Sequence, residues 1–194
     1  MDYEGVKKYI IERMSKGLPA NLYYHGIHHT LDVLEAAERY AMLENISEQD
    51  KLYLFTAALF HDAGYLIRYR MNEDASAAIC RQVLPHYGFS SDDIAYINAL
   101  ILSTSIPQKP FDRLSRILCD ADLDYLGRRD FFIRGCNLRR EFKEYGREFN
   151  VAEWYEHQIG FLSAHFYHTR TAFLLREGKK QEHLRFIKML VKKM

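Results

Sequence analysis

Along most of the chain, apolar residues recur at intervals of three and four, the period of amphipathic helices. From Asp2 to Lys16 the residues Val6, Tyr9, Ile10 and Met14 share one face, and Gly17-Leu18-Pro19 ends the segment. After a loop carrying Tyr23, Tyr24, His25 and Gly26, a second helix is expected from near His28, marked by Leu31, Val33, Leu34, Ala37, Tyr40 and Ala41. Ser47-Glu48-Gln49-Asp50 opens a third in capping-box style, and the apolar run Leu52 to Phe60 carries it to His61-Asp62. A mixed segment, Tyr65 to Asn72, leads to a helix from about Asp74 to Tyr87 that stops at Gly88. Ser90-Ser91-Asp92-Asp93 caps the next, with Ile94, Ile97, Ile101 and Leu102, and Ser105 to Pro110 is a loop. Further helices are expected over Phe111 to Leu126, Asp130 to Tyr145 and Val151 to Arg176, the longest, with Gly178 separating a last one from Gln181 to Lys192. No strand-like alternation, repeat, low-complexity tract or linker breaks the pattern. The expectation is one all-α domain over residues 1–194 with about nine helices.

Composition narrows the class. With 48% hydrophobic and 27% charged residues in 194, the chain is globular and long enough for a substantial core. A net charge of +1 argues against bulk electrostatic binding of nucleic acid. The three cysteines, Cys80, Cys119 and Cys136, form no Cys-x-x-Cys pair and read as reduced thiols. No apolar run approaches the roughly 20 residues of a membrane span, and the first residues carry early acids. A soluble cytoplasmic protein is expected, and a homo-oligomer is left open.

Ligand-type residues then concentrate at three places. Tyr24-His25-Gly26-Ile27-His28-His29 stands at a helix start, where His25 and His29 share a face if the helix begins early enough. His61-Asp62 ends the most apolar helix; as a plain helix terminus it would need only Gly64 as a left-handed cap. Cys119-Asp120-Ala121-Asp122-Leu123-Asp124 puts acids in an apolar helix with no fixed cation beside them in sequence. Buried charges need a partner or a metal. Two imidazoles and two carboxylates form a mixed N/O set suited to a divalent first-row metal, with positions left for water and substrate.

In this order, His29, then His61-Asp62, then an Asp in Asp120-Ala121-Asp122, the chain resembles the HD-domain superfamily of metal-dependent phosphohydrolases, whose pattern is H…HD…D on a helical fold. The motifs cover about residues 22–127, with residues 128–194 completing the bundle. The resemblance implies one divalent ion (Mn, Mg, Fe, Co, Ni or Zn) held among the central helices by His29, His61, Asp62 and either Asp120 or Asp122. Ala121-Asp122-Leu123 is similar to the ligand segment of cyclic-nucleotide phosphodiesterases, whereas the spacing in other HD enzymes favours Asp120. Many two-metal members carry further histidines before the last Asp; Ala99-Leu100-Ile101-Leu102-Ser103-Thr104 has none, so a second ion is expected to be weak or absent.

The family likeness also implies roles at the substrate. Tyr24-His25-x-x-x-His29 resembles the phosphodiesterase motif whose first His protonates the leaving oxygen, making His25 the candidate general acid. Asp62 is a candidate contact to both metal and water. Glu73, where related hydrolases have a His-Glu pair, is a candidate for water activation, or simply a helix-start acid. Arg68 and, from the long C-terminal helix, His165 and Arg170 are candidates for substrate contact. In that helix His165 and Thr169 would share a face. The expected activity is hydrolysis of a phosphoester or phosphoanhydride, of a nucleotide or another small phosphorylated metabolite, by metal-activated water. The alternative is a nucleotide-binding regulatory module with a structural metal and little turnover.

Overall fold

The computed structural model describes all 194 residues, and every regular element in it is helical. Nine helices follow in order: α1 (Tyr3–Gly17), α2 (Ile27–Leu43), α3 (Glu48–Phe60), α4 (Asn72–Val83), α5 (Ser91–Ser103), α6 (Arg113–Asp122), α7 (Phe131–Glu144), α8 (Val151–Ala164) and α9. The last begins as Arg170–Ala172, passes through a π-helical turn at Phe173–Glu177 and continues as Gly178–Val191. Side chains close several N-termini, at Ser47 and Ser90 as expected and at others besides. Asp2 caps α1 and Ser47 caps α3, while Ser90 with Asp93, Asp112 with Ser115 and Asn150 with Glu153 form reciprocal boxes at α5, α6 and α8.

At the centre is α3. Leu54, Ala57, Ala58, Leu59 and Phe60 are wholly buried, and the helix packs against α1, α2, α5 and α6. Val6, Ile10 and Met14 of α1 close one side of this core, each contributing about 1.5–3 kcal/mol by burial. A second, smaller apolar cluster joins Tyr24 to Leu126, Phe131, Leu162, Leu184 and Ile187 of the C-terminal half.

The helices differ from expectation where polar demands override the apolar pattern. The Asp74-to-Tyr87 helix begins at Asn72 and tightens into a 3-10 turn at Leu84–Tyr87. The Phe111-to-Leu126 helix is shorter, ending at Asp122 before a 3-10 turn at Asp124–Gly127. The expected long helix from Val151 to Arg176 is broken: His165 is extended (φ −74°, ψ 137°) and Thr169 caps α9. This break sends the N–H groups of His168 and Thr169 to the Asp120 carboxylate, each at 2.8 Å. His165 and Thr169 therefore do not share a helix face. Gly178 separates nothing, because the chain remains helical through it.

Candidate functional site

The α2 N-terminus, the α3 C-terminus and the α6 C-terminus meet at one point. His29 and His61 are each 2% exposed, and Asp62 is 6% exposed. His29 Nε2 lies 3.1 Å from Asp122 Oδ1, 3.4 Å from His61 Nε2 and 3.5 Å from Asp62 Oδ2. His61 Nε2 is 3.3 Å from Asp62 Oδ2 and 3.6 Å from Asp122 Oδ1. Donor atoms about 2.1 Å from a common ion stand about 3.0–3.4 Å apart at adjacent positions, so these spacings fit a metal. His29, His61 and Asp122 form a group able to hold one, and Asp62 borders it.

The bonds around these residues prepare them to coordinate. His61 Nδ1 meets the Ala58 carbonyl at 2.8 Å, so that nitrogen keeps its proton and Nε2 is the one that can give up a proton to coordinate a cation. Asn72 donates to Asp62 Oδ1 at 3.0 Å, leaving Asp62 Oδ2 buried without a hydrogen-bond partner. Gln108 donates to Asp122 Oδ2 at 3.3 Å, which turns Oδ1 toward the imidazoles. Burial disfavours charge on both His61 and Asp62, but their mutual attraction wins. It holds the imidazole above its ordinary value and the carboxyl well below the usual carboxylate range. The carboxylates of Asp62 and Asp122, brought to one corner with two imidazoles, form a donor set whose negative charge a divalent ion would offset.

Asp120 lies elsewhere. Its two oxygens accept from the N–H of His168, the N–H of Thr169 and the Thr169 hydroxyl, and it is fully buried away from the imidazole pair. Two residues on along α6, Asp122 has turned by about 200° to the opposite side. Of the two acids considered for this corner, the structure brings Asp122 to the histidines and ties Asp120 to the strap before α9. Gly64 is not in the left-handed conformation, which among glycines is adopted by Gly88 and Gly146. It is required for close approach: a Cβ there would stand 1.8 Å from the Asn72 carbonyl oxygen. Ser76 completes the joint, accepting from the Gly64 N–H at 2.7 Å and donating to the His61 carbonyl at 2.8 Å.

The cluster opens on a cavity of about 310 Å³, within the range of small-molecule sites. His25, Asp62, Glu73 and Asp122 line it. His25 precedes α2 rather than riding on it, with Gly26 as the cap. It is held instead by Glu141 of α7, which is 0% exposed. This carboxylate accepts from the N–H groups of Tyr24 and His25 at 2.8 and 3.0 Å, from His25 Nδ1, and from the Tyr69 hydroxyl at 3.1 Å. Burial pushes the His25 imidazole toward neutrality, but Glu141 and then Asp62 outweigh it and raise its pKa. Glu73 lines the cavity, where burial and the charge of Asp62 hold its carboxyl above the usual range.

The three residues expected to contact substrate stand outside the cavity. Arg68 is bound to the Met71 carbonyl and lies near Asp74. His165 meets the buried Lys180 ammonium, and Arg170 is exposed at the start of α9. The one Arg or Lys in the lining is Arg147, beyond the C-terminus of α7, with its guanidinium over the rings of Phe142 and Phe149. Glu141, Gln108 and Arg147 are the participants that reading the sequence did not supply. Glu141 carries one signal: it stands three residues beyond Leu138, on the face α7 turns to the cavity.

Comparison with known proteins agrees with the helical fold. The HD domain family profile matches residues 26–124, just over half of the 194-residue chain. A predicted HD superfamily hydrolase from an uncultured Thermotogales bacterium is 18% identical, with a TM-score of 0.64 over 98% of this chain and 91% of that one. A Lactobacillus plantarum protein is 16% identical, with a TM-score of 0.71 over 99% and 96%. Bacillus subtilis YpgQ, solved in complex with ADP, is 20% identical, with a TM-score of 0.67 over 99% and 97%. No curated protein matches. The helical fold, the ordered His29, His61-Asp62 and Asp122 motif and the profile match together place this chain in the HD domain family.

Proposed function

We propose that this protein is a metal-dependent phosphohydrolase acting on a small phosphate ester or anhydride, with a nucleotide as the substrate class. One observation carries the reading: two imidazole nitrogens and two carboxylate oxygens converge, buried, and the two carboxylates, Asp62 and Asp122, line a cavity that can enclose a small molecule. The hydrolase-like fold and the ADP complex of the similar Bacillus subtilis protein point the same way.

His29, His61, Asp62 and Asp122 would hold one divalent ion. Such an ion acidifies water to a nucleophile at neutral pH and offsets charge on a phosphoryl group. His25, with Nδ1 committed to Glu141, has Nε2 free to donate a proton to the leaving oxygen as the P–O bond breaks. Glu73, which lines the cavity, would take a proton from water. Arg147 is the cation available to a second anionic group of the substrate. The free thiols fit a reducing, cytoplasmic setting.

The test is phosphate release from a panel of nucleotides and phosphoesters with Mn²⁺, Mg²⁺, Co²⁺ or Ni²⁺. The control is His61→Ala combined with Asp62→Ala. Metal-dependent release that the control abolishes is expected. Release that is equal in the control, or absent with every metal and substrate, would contradict the reading.

A further inference from the structure

We propose that the part of the cavity walled by α7 and α8 binds the organic group of the substrate, a planar nitrogen heterocycle of the nucleobase kind, and that Gln158 selects it by hydrogen bonding. The proposal deepens the phosphohydrolase reading and rests on it.

The walls contributed by α7 and α8 contrast with the acid-rich metal corner. Phe131, Leu138, Phe142, Trp154, Phe161 and Leu162 line them, a surface suited to a flat, largely apolar ring. Gln158 interrupts this surface. It lines the cavity, is only 7% exposed, and its Oε1 is fully buried with no hydrogen-bond partner. A buried amide oxygen without a donor is destabilising, so such a group in a native wall needs an explanation.

The opposite helix keeps room for it. Gly135 is buried in the middle of α7, where glycine weakens a helix relative to alanine. A Cβ at Gly135 would stand 2.6 Å from Gln158 Nε2. A residue costly to α7 is thus accommodated where it leaves space for the amide. Turned about its last side-chain torsion toward the cavity, the amide presents a donor and an acceptor side by side, which complements a ring edge carrying an adjacent acceptor and donor. A purely apolar group in this arm would leave the amide unpaired in a dry environment, so the walls favour a heterocycle over a phenyl or alkyl group.

Trp154 is the chain's only tryptophan and lies in this wall, so its fluorescence reports occupancy without turnover. We would titrate the full-length, metal-loaded protein with adenosine, guanosine, cytidine, uridine and, as an apolar ring, benzyl alcohol. At least one nucleoside is expected to change the emission saturably. Gln158→Leu should weaken that nucleoside about tenfold or more while sparing benzyl alcohol. Its thermal midpoint should not fall, because the amide oxygen it removes bonds to nothing. Gly135→Ala, which crowds Nε2 without deleting it, should weaken the nucleoside selectively and keeps the test decisive should the leucine variant not fold. No response to any nucleoside, or equal weakening of nucleoside and benzyl alcohol in both variants, would overturn the proposal. Because the readout is binding, selective nucleoside binding with no phosphate release would fault the phosphohydrolase reading and leave this inference standing.

Discussion

His25 and Glu141 are 116 residues apart in sequence, yet one carboxylate of Glu141 engages both the backbone N–H and the imidazole Nδ1 of His25. This double hold fixes the ring's direction and its tautomer at once. It also ties α7 to the loop before α2, so the C-terminal half of the chain sets the chemistry of the N-terminal motif.

Glu141→Gln should therefore impair catalysis more than binding. Losing an oriented general acid is expected to lower kcat about 100-fold with a small change in KM. Glu141 helps hold the His25 pKa up, so in the variant the acid form is lost at lower pH. The alkaline limb of the kcat profile should move toward acid. A Gln oxygen can replace only part of the bonding, and a stability loss of about 2 kcal/mol is expected. A kcat profile with an unmoved alkaline limb would remove His25 from the acid role.

The sequence made the corner of the site legible and left its support hidden. His29, His61 and Asp62 stand at helix ends beside apolar runs, where buried polar groups advertise themselves. Asp120 and Asp122 look alike in sequence, because only the three-dimensional partners of α6 separate them: His168 and Thr169 on one side, His29 on the other. The break at His165 left no mark either. Apolar residues continue through Phe166, Tyr167, Phe173 and Leu174 without Pro or Gly, and the break exists to satisfy Asp120. Arg68 and Arg170 carried the right charge for a phosphate, but neither lines the cavity: Arg68 is in the loop before α4, bound to the Met71 carbonyl, and Arg170 is exposed at the start of α9.

Gly64→Ala should show that the motif's glycine is steric. The added Cβ would meet Asn72 backbone at 1.8 Å and the Ser76 nitrogen at 2.8 Å, so α4 must move. Overpacking of this kind costs about 3 kcal/mol, readable as a lower urea midpoint. Since Asn72 orients Asp62, metal affinity should fall as well. Wild-type stability in this variant would refute the close-approach account.

His165 makes stability pH-dependent. Burial, then the charges of Lys180 and His168, lower its pKa to about 3, against about 6.5 in the unfolded chain. Between these values the unfolded chain binds the extra proton. The contribution is fully present above pH 6.5 and is lost as pH falls, at up to about 1.4 kcal/mol per unit. His165→Gln should thus lose less stability than wild type between pH 8 and pH 5, by about 1–2 kcal/mol. Parallel denaturation curves at the two pH values would refute a half-buried, neutral His165.

The most direct test of the account is metal content measured with phosphate release on the same samples of wild type, Asp122→Asn and Asp120→Asn. Wild type should hold about one equivalent of Mn²⁺ and turn over, as expected of a four-ligand site. Asp122→Asn should lose both metal and turnover. Asp120→Asn should keep its metal, because Asp120 is bound to His168 and Thr169. Full metal in Asp122→Asn, or a folded Asp120→Asn without metal, would contradict the site described here.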